Sequence, residues 1–317
     1  MKETWFSIAG VKFYLASHGV AAEYLFDELP GLLPGFLISK KKIPDAVCLV
    51  HFDHELTYPL RFDSKPHLIR RKDSGINEAV IARMEKIPPY PPLSKGSKGD
   101  FHINSCFEAI GFLNGCLTFD YRTNRGLIYI FCSDEANYFV GTLLKLLFVL
   151  ACLVMANMGR LMVHGAGIKK RKGRGGYLFL GTSGAGKSTV AALSFGDMIL
   201  SDDATVIEAA GGAFHIHATP FRQVGSGKSS PKRLYRQQEK LNKLLFLHQS
   251  ETTFVQPREQ RNAFTELLTE HLHCFDVMEE PLKRKTFYLC RAVCEITPSY
   301  DLFFRKDPSI WELVVAK

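Results

Sequence analysis

The sequence predicts a mixed α/β protein with a β-rich N-terminal domain and an α/β domain after it. Short apolar and alternating segments, separated by prolines and glycines, fill the first part of the chain. Residues 181–188 then fit the pattern G-x-x-x-x-G-K-[ST] at every fixed position, between an apolar run and a helix-forming run. A further apolar segment ends in Asp202 and Asp203. We place the domains at residues 1–135 and 136–317.

The composition is that of an ordinary globular protein. The 317 residues allow two domains, each with its own core, and 46% are hydrophobic while 23% are charged. The formal net charge of +8 favours anionic partners, namely nucleotides, acidic peptides, nucleic acid or anionic lipid. Charge alone does not choose among these partners.

The eight cysteines indicate reduced thiols. No C-x-x-C pair occurs, and Cys290 and Cys294 are four residues apart on a predicted helix, where both belong to one buried face. We therefore favour packing over a metal site. The N-terminus has an early acidic residue and no long apolar core, which is unlike a secretory signal. Together these features predict a cytoplasmic protein.

The N-terminal domain is predicted from its short strands. Residues 1 to about 72 form β segments and turns, and residues 101–132 return to β character around a turn at 122–126. Between them, residues from about 65 to 100 are rich in proline, glycine and lysine and predict a flexible linker. His51 and His54 flank Asp53, but without a third ligand a strand end is the better interpretation than a metal site.

Two segments before the glycine-rich motif raise the question of partners. Residues 139–158 are the most apolar stretch, but the uninterrupted run at 146–156 is short of a bilayer span. We predict a buried helix and no membrane partner, with a membrane helix as the alternative. Residues 169–174 are basic and predict a hairpin tip. No nucleic-acid partner is expected because interleaved aromatic residues are missing, whereas docking of an acidic substrate segment stays open.

The glycine-rich motif predicts a phosphate-binding P-loop (Walker A). Its glycines let backbone N–H groups point at phosphate oxygens, and the start of the following helix adds partial positive charge. In this interpretation Lys187 reaches the outer phosphates and the Ser188 hydroxyl is a ligand of Mg²⁺. The residues predicted to bind the nucleotide are Gly181, Thr182, Ser183, Gly184, Ala185, Gly186, Lys187, Ser188 and Thr189.

The acidic pair Asp202 and Asp203 predicts a place for metal and proton chemistry. Carboxylates beside a phosphate loop supply a hard oxygen ligand for Mg²⁺ and an acceptor for the proton of an attacking hydroxyl. Two adjacent carboxylates could divide these roles. The alternative is a polar turn after an edge strand.

These motifs, together with the His164-Gly165 strand, resemble the catalytic domain of HPr kinase/phosphorylase over residues 160–220. The nucleotide site of that family is related to the one in ATP-dependent phosphoenolpyruvate carboxykinase. Further on, three segments look like the HPr-kinase-related enzymes of ribosomal peptide tailoring systems, including lasso-peptide kinases; they are residues 220–222, 244–247 and 300–311. The glycine-rich signature that true HPr kinases carry after the core site is missing, so HPr itself and the reverse phosphorylase reaction are not implied.

The resemblance implies a P-loop kinase domain of the HPr kinase/phosphoenolpyruvate carboxykinase type that uses ATP and Mg²⁺. It implies phosphoryl transfer to a serine hydroxyl of a peptide or small protein, with a lasso-type precursor peptide among the candidates. By resemblance we favour Asp202 as the catalytic base with His164 alongside it, and Ser188 with Asp203 as metal ligands. Arg222 would steady the phosphate or the acceptor.

Two other function classes stay open. A nucleotide-binding regulator would keep the phosphate loop but need no acceptor, and a small-metabolite enzyme would phosphorylate free serine or act like a carboxykinase. The acceptor and the oligomeric state are left open, with a homo-oligomer among the alternatives.

The remaining segments supply supporting elements. Residues 213–218 alternate like a strand, with His215 and His217 on one face, which is weak evidence for a metal site. Residues 227–229 imitate a phosphate loop, but Arg222 stands where its first glycine belongs, so we interpret that segment as a lid or a surface loop. Further elements are predicted as helices at 258–274 and 281–294, a strand at 301–304 and a helix at 309–315.

Overall fold

The structure is a computed structural model of the chain. It describes residues 2–18, 20–40, 43–53, 67–69, 79–81, 105–108, 115–131, 136–170, 175–194, 198–221, 236–307 and 309–315. The described residues form a mixed α/β protein with two eight-stranded sheets, in agreement with the predicted class.

The chain divides into two compact units. The first contains Met1–Trp5, Phe13–Leu29 and Lys40–Val154, and the second contains Phe6–Lys12, Pro30–Ser39 and Met155–Lys317. The main division therefore falls about twenty residues after the predicted boundary at residue 135. The helix that follows this boundary packs on a strand of the first unit, where a Cβ placed on Gly126 would lie 2.6 Å from Leu150 Cδ1.

The first sheet has the strand order β1-β2-β3-β8-β7-β6-β5-β4. β2, β3 and β8 are parallel, and the strands from β8 to β4 pair antiparallel. Its elements are β1 (Lys2–Ile8), β2 (Val11–His18), α1 (Val20–Leu32), β3 (Ala46–Asp53), β4 (His67–Ile69), β5 (Ala79–Ile81), β6 (Ser105–Glu108), β7 (Gly115–Asp120), β8 (Arg125–Phe131) and the following helix α2 (Ala136–Asn157).

Two features of this region differ from the sequence prediction. Helix α1 lies where only strands and turns were expected, because the Ala-, Glu- and Leu-rich segment before Pro30 favours a helix, and Pro30 falls near its end. Strands β4 and β5 lie inside the predicted linker at 65–100, where their short apolar runs pair with each other and then with β6. The rest of that linker, and His54, lie outside the described residues.

Helix α2 confirms the helix predicted in the most apolar stretch. Its segment Val140–Asn157 has a mean hydropathy of 2.1 and is 67% buried inside the structure. Among the described residues it is the one helix whose length and composition would let it cross a membrane, a test that the core helix of a globular protein also passes.

The second sheet holds the predicted P-loop. Its elements are β9 (Arg160–Lys169), β10 (Gly176–Leu180), α3 (Lys187–Leu193), β11 (Met198–Ser201), β12 (Ala204–Ala210), β13 (Ala213–His217), β14 (Gln238–Gln249), β15 (Phe254–Pro257), α4 (Gln260–Glu266), a π-helical turn (Leu267–His271), a 3₁₀ turn (Phe275–Val277), α5 (Glu280–Ile296), β16 (Ser299–Phe304) and α6 (Ile310–Val315). β9 pairs antiparallel with β10, β11 and β12, which confirms the predicted β9–β10 hairpin. Its tip at 171–174 lies outside the described residues.

Three parallel strands end at one edge of this sheet. β14 pairs in parallel with β10 on one side and with β16 on the other. Since β12, β13 and β14 are also paired antiparallel, the pairings β10–β9–β12–β13–β14–β10 close on themselves. The carboxyl ends of parallel strands are where ligands bind in open α/β sheets, so this edge positions the candidate site.

A core of apolar side chains lies beneath α3 and α6. It contains buried residues of β9, β10, β14 and β16, with Phe179 and Trp311 in edge-to-face contact at 5.6 Å. The predicted helices near the C-terminus are confirmed as α4 with its π-helical continuation, α5 and α6, and the predicted strand is β16. Cys290 and Cys294 are buried on one face of α5, as expected.

Candidate functional site

The predicted order of strand, glycine loop and helix is confirmed at the end of β10. Gly184 and Gly186 have φ angles of +84° and +114°, which side-chain-bearing residues rarely adopt. A Cβ on Gly186 would also lie 2.5 Å from the ring of Phe304. Both the backbone conformation and the lack of space therefore require glycine at this position. Within the loop the N–H of Ala185 donates to the carbonyl of Thr182 at 3.1 Å.

Lys187 lies inside the loop. Its side chain is buried, and its ammonium donates to the carbonyl oxygens of Gly181 at 2.5 Å and Thr182 at 3.0 Å. The next residue, Ser188, is exposed at the start of α3, while Thr189 is half-buried. The loop thus carries one buried cation next to an accessible hydroxyl, which is the pair that a phosphate with a bound metal needs.

A side chain of the neighbouring strand holds the loop from outside. Gln249, the last residue of β14, donates from Nε2 to the carbonyl of Gly184 at 2.6 Å. The carboxyl end of β14 is therefore in direct contact with the phosphate loop.

Asp202 and Asp203 form the tight turn between β11 and β12. The Ser201 hydroxyl accepts hydrogen bonds from the N–H groups of Asp203 at 3.4 Å and Ala204 at 3.1 Å. The carbonyl of Asp203 in turn accepts from the N–H of Gly165 on β9 at 3.0 Å. The acidic pair is therefore fixed against the strand that carries His164.

The two acidic residues are not equivalent. His164 Nδ1 lies 3.0 Å from Asp203 Oδ1, whereas the sequence interpretation placed His164 alongside Asp202. Burial raises the pKa of Asp203, but the hydrogen bond from His164 and the electrostatic interactions with His164, His273 and Lys187 together hold this pKa below its usual value. Asp203 is therefore an ionised carboxylate that feels the charge of the loop lysine.

Two histidines join the site that the sequence analysis did not identify. Leu272 forms an isolated antiparallel bridge with Val163, and the N–H of His273 donates to the carbonyl of Met162 at 3.0 Å. This pairing brings the ring of His273 to 5.5 Å from that of His164, in an edge-to-face arrangement. His273 reaches the site through a pairing between distant segments, and no local sequence motif marks it, so it could not be predicted from the sequence.

His271 is the second of these histidines and is completely buried. Its Nε2 lies 3.3 Å from Oε1 of Glu266, whose other oxygen accepts from Arg258 at 2.5 Å. Burial lowers the pKa of His271, Glu266 acts in the opposite direction, and the charges of His164 and Lys187 lower it further. The pKa of His271 is therefore held below its usual value, so the imidazole is neutral at pH 7.

A second Arg-Glu-His group of the same composition occurs on β9, β12 and β13. Glu208 accepts from Arg160 at 2.5 Å and lies 2.9 Å from His217 Nε2. The contact with Glu208 gives His217, one of the two histidines in the alternating segment 213–218, a structural role. Among the described residues no three His, Cys, Asp or Glu side chains form a metal-binding group.

Arg222 and the segment 227–229 lie outside the described residues. Their predicted roles as phosphate or acceptor contact and as a lid stay predictions.

No protein-family model matches the chain, and no curated protein matches its sequence. The site combines a glycine loop with positive φ angles, a buried lysine and a carboxylate in contact with a histidine.

Proposed function

We propose that this protein is an ATP-dependent kinase with an HPr-kinase-like P-loop fold, which phosphorylates a serine hydroxyl of a peptide or small protein. A lasso-type precursor peptide is one candidate acceptor. The observation that carries the proposal is the buried Lys187 ammonium, which donates to the loop carbonyls of Gly181 and Thr182, in the same sheet that holds the Asp203 carboxylate against His164. A simple anion site would not need a carboxylate at this position, whereas phosphoryl transfer does.

The loop and Lys187 have the binding role in this proposal. Backbone N–H groups around Gly184 and Gly186 would surround the terminal phosphates, and the Lys187 ammonium would leave its carbonyl partners to offset their charge. Because the side chain is buried, its interaction with a phosphate is screened less by solvent than that of a surface lysine.

The residues present fit a magnesium site. Mg²⁺ takes one or two protein oxygens together with phosphates and water, and the site offers the exposed hydroxyl of Ser188 and a carboxylate kept ionised by its neighbours. Ser188 and Asp203 would hold the ion. When bound, Mg²⁺ would supply positive charge that offsets the negative charge of the phosphates.

Asp202 would take the proton of the acceptor hydroxyl. It stands next to Asp203 in a turn that Ser201 fixes, so the two carboxylates would approach the phosphate from one side. In this assignment His164 orients Asp203, and Asp202 is the base.

The net charge supports the proposed acceptor, and the free cysteines support the proposed location. A net charge of +8 suits an acidic peptide more than a basic one. We propose a cytoplasmic location, where ATP and reduced thiols coexist with the buried free cysteines Cys290 and Cys294.

The test is transfer of labelled phosphate from ATP to candidate precursor peptides and to free serine. We expect labelling of a peptide serine that Lys187→Ala abolishes. Lys240→Ala removes the same charge from an exposed position on β14 and should keep full activity. ATP consumption that does not depend on any acceptor would instead favour a nucleotide-binding regulator.

A further inference from the structure

Three side chains form an aromatic column across the second sheet. The rings of His248 and Phe303 are stacked with centroids 4.6 Å apart and planes 19° apart, and those of Phe303 and Phe254 with centroids 4.5 Å and planes 7° apart. The strand register explains the stack, since His248 on β14 and Phe254 on β15 both lie opposite Phe303 on β16. This aromatic column therefore stands on one face of the sheet.

The aromatic column lies at the edge where the phosphate loop begins. β10, β14 and β16 are parallel, so the loop after β10 and the last residues of β14 and β16 share one edge. Gln249, next to His248, donates to the loop carbonyl of Gly184 at 2.6 Å. On the other face of β16, the ring of Phe304 stands against Gly186. The column and the loop are thus built on the same strand ends.

The column is open to a ligand. Phe254 is 41% exposed, and the side chain of His248 is 38% exposed although its Nε2 is held 2.8 Å from Asp301 Oδ1. Arg305, two residues after Phe303, is an exposed polar side chain at the same strand end, whereas Gln249 lies on the opposite face with Phe304. Exposed aromatic rings beside a guanidinium are suited to a flat heteroaromatic ring with polar edges.

The positions of Asp203 and His164 indicate how a bound nucleotide would be oriented. Asp203 and His164 belong to β11–β12 and β9, on the far side of β10 from β14. The reacting end of a bound triphosphate therefore belongs near β9, and its other end extends towards β14 and β16. The first ring of the aromatic column, His248, is on β14, the strand next to β10, and paired strands lie about 4.8 Å apart.

We propose that the aromatic column of His248, Phe303 and Phe254 is the subsite for the purine base of the nucleotide. This inference rests on the proposed nucleotide-dependent function and specifies the part of the ligand that the phosphate loop does not contact. The outer ring faces of His248 and Phe254 give base affinity, and the Gln249 side chain, which donates to the carbonyl of Gly184, joins the same strand end to the loop.

The experiment compares two ligands that differ by the nucleoside. Affinities for ATP and for inorganic tripolyphosphate, each with Mg²⁺, are measured by calorimetry in the wild type, Phe254→Ala and Phe303→Ala. We expect ATP to bind about 5- to 100-fold more weakly to Phe254→Ala, which removes an outer ring, and also to Phe303→Ala, because the central ring holds both outer rings in place. Tripolyphosphate affinity should be unchanged in both variants. Tyr288→Ala, which removes an exposed aromatic ring from α5, is the matched control and should change neither affinity.

The outcomes separate the two proposals. Wild-type affinity of both column variants for ATP overturns the base subsite, and weakened labelling of a peptide acceptor by the same variants would then assign the column to the acceptor. If the wild type binds neither ligand, or if Lys187→Ala binds both as tightly as the wild type, the proposed function fails. Should Phe303→Ala lower the unfolding midpoint, the exposed Phe254→Ala carries the comparison.

Discussion

His164 on β9 and Asp203 after β11 are joined by a 3.0 Å contact between Nδ1 and Oδ1. The contact fixes the carboxylate of Asp203 against the strand that carries His164. It also ties the turn that carries both carboxylates to the strand hydrogen-bonded to β10, so the relative position of acid pair and loop is set by the sheet.

The two carboxylates should respond differently to removal of charge. Asp202→Asn is expected to keep Mg·ATP affinity within several-fold and to lose on the order of 10²-fold or more in transfer rate, because an amide oxygen is too weakly basic to accept the proton. Asp203→Asn should raise the Mg²⁺ concentration needed for activity and recover partly with added Mg²⁺ or Mn²⁺. Metal titrations of both variants provide the measurement. If added metal rescues Asp202→Asn and not Asp203→Asn, the roles are exchanged and the His164–Asp203 pair holds the base.

Gly186→Ala should disrupt the phosphate loop. The substitution forces a φ of +114° on alanine and drives its Cβ into the Phe304 ring, which we expect to cost about 1–3 kcal/mol of folding free energy or to unfold the loop locally. Mg·ATP affinity should fall at least tenfold. Gly184→Ala is the matched control, because φ is +84° there but nothing lies within 4 Å of the added Cβ. Equal losses in both variants would show that the contact with Phe304 is unimportant.

His217 should make stability depend on pH. Burial lowers its pKa from 6.5 to about 4, with Arg160 and His215 acting in the same direction and Glu208 opposing them. Between these values the unfolded chain binds a proton that the folded protein does not, so the free energy of unfolding falls as the pH falls from 6.5 to 4. His217→Gln should remove a pH-dependent difference on the order of 3 kcal/mol.

Urea unfolding of both proteins between pH 7.5 and 4.5 measures this difference. His215→Gln on the same strand removes one of the smaller influences on the pKa of His217 and should therefore depart from the wild-type curve much less than His217→Gln does. Parallel curves for the wild type and His217→Gln would contradict the prediction.

Gly126→Ala should destabilise the first unit through helix α2. The new Cβ would lie 2.6 Å from Leu150 Cδ1, and overpacking of this kind costs about 1–3 kcal/mol. Leu150→Ala alone removes buried side-chain volume and should cost about 2–5 kcal/mol. In the double variant the alanine methyl group occupies part of that space, so its loss should be smaller than the sum. Additive losses in a denaturant-unfolding cycle would mean that the two residues do not compete for space.

The elements that could be predicted are those marked by a motif or pattern within a single short segment of the sequence. The P-loop is a contiguous motif between a buried strand and a helix, and the C-terminal helices and β16 have periodic patterns bounded by prolines. Helix α1 was missed because Pro30 and Gly31 look like turn residues, although they fall in its last turn. A single sequence shows the residues of a turn but not whether the preceding segment is stabilised as a helix by packing.

The candidate site was predictable where its residues are neighbours in sequence. Asp202 and Asp203 directly follow strand β11, as predicted, and the charge of Lys187 helps to lower the pKa of Asp203. His271 and His273 reach the site only through the pairing of Leu272 with Val163, more than one hundred positions apart in the sequence. The partner of His164 also depends on the register of β9 against β12, in which His164 lies opposite Ala204. A one-residue change in this register would bring Asp202 instead of Asp203 next to His164.

The closed path of pairings through β10, β9, β12, β13 and β14 limits how this unit can move. In an open sheet, two neighbouring strands can slide or splay by loosening one ladder. Here β10 cannot shift along β14 without disturbing the remaining ladders of the path. The glycine loop and Gln249 therefore lie at the ends of strands whose relative positions are fixed, so adjustments to a ligand must come from side chains and loops. In the proposed kinase, the nucleotide would bind to strands that do not move relative to one another.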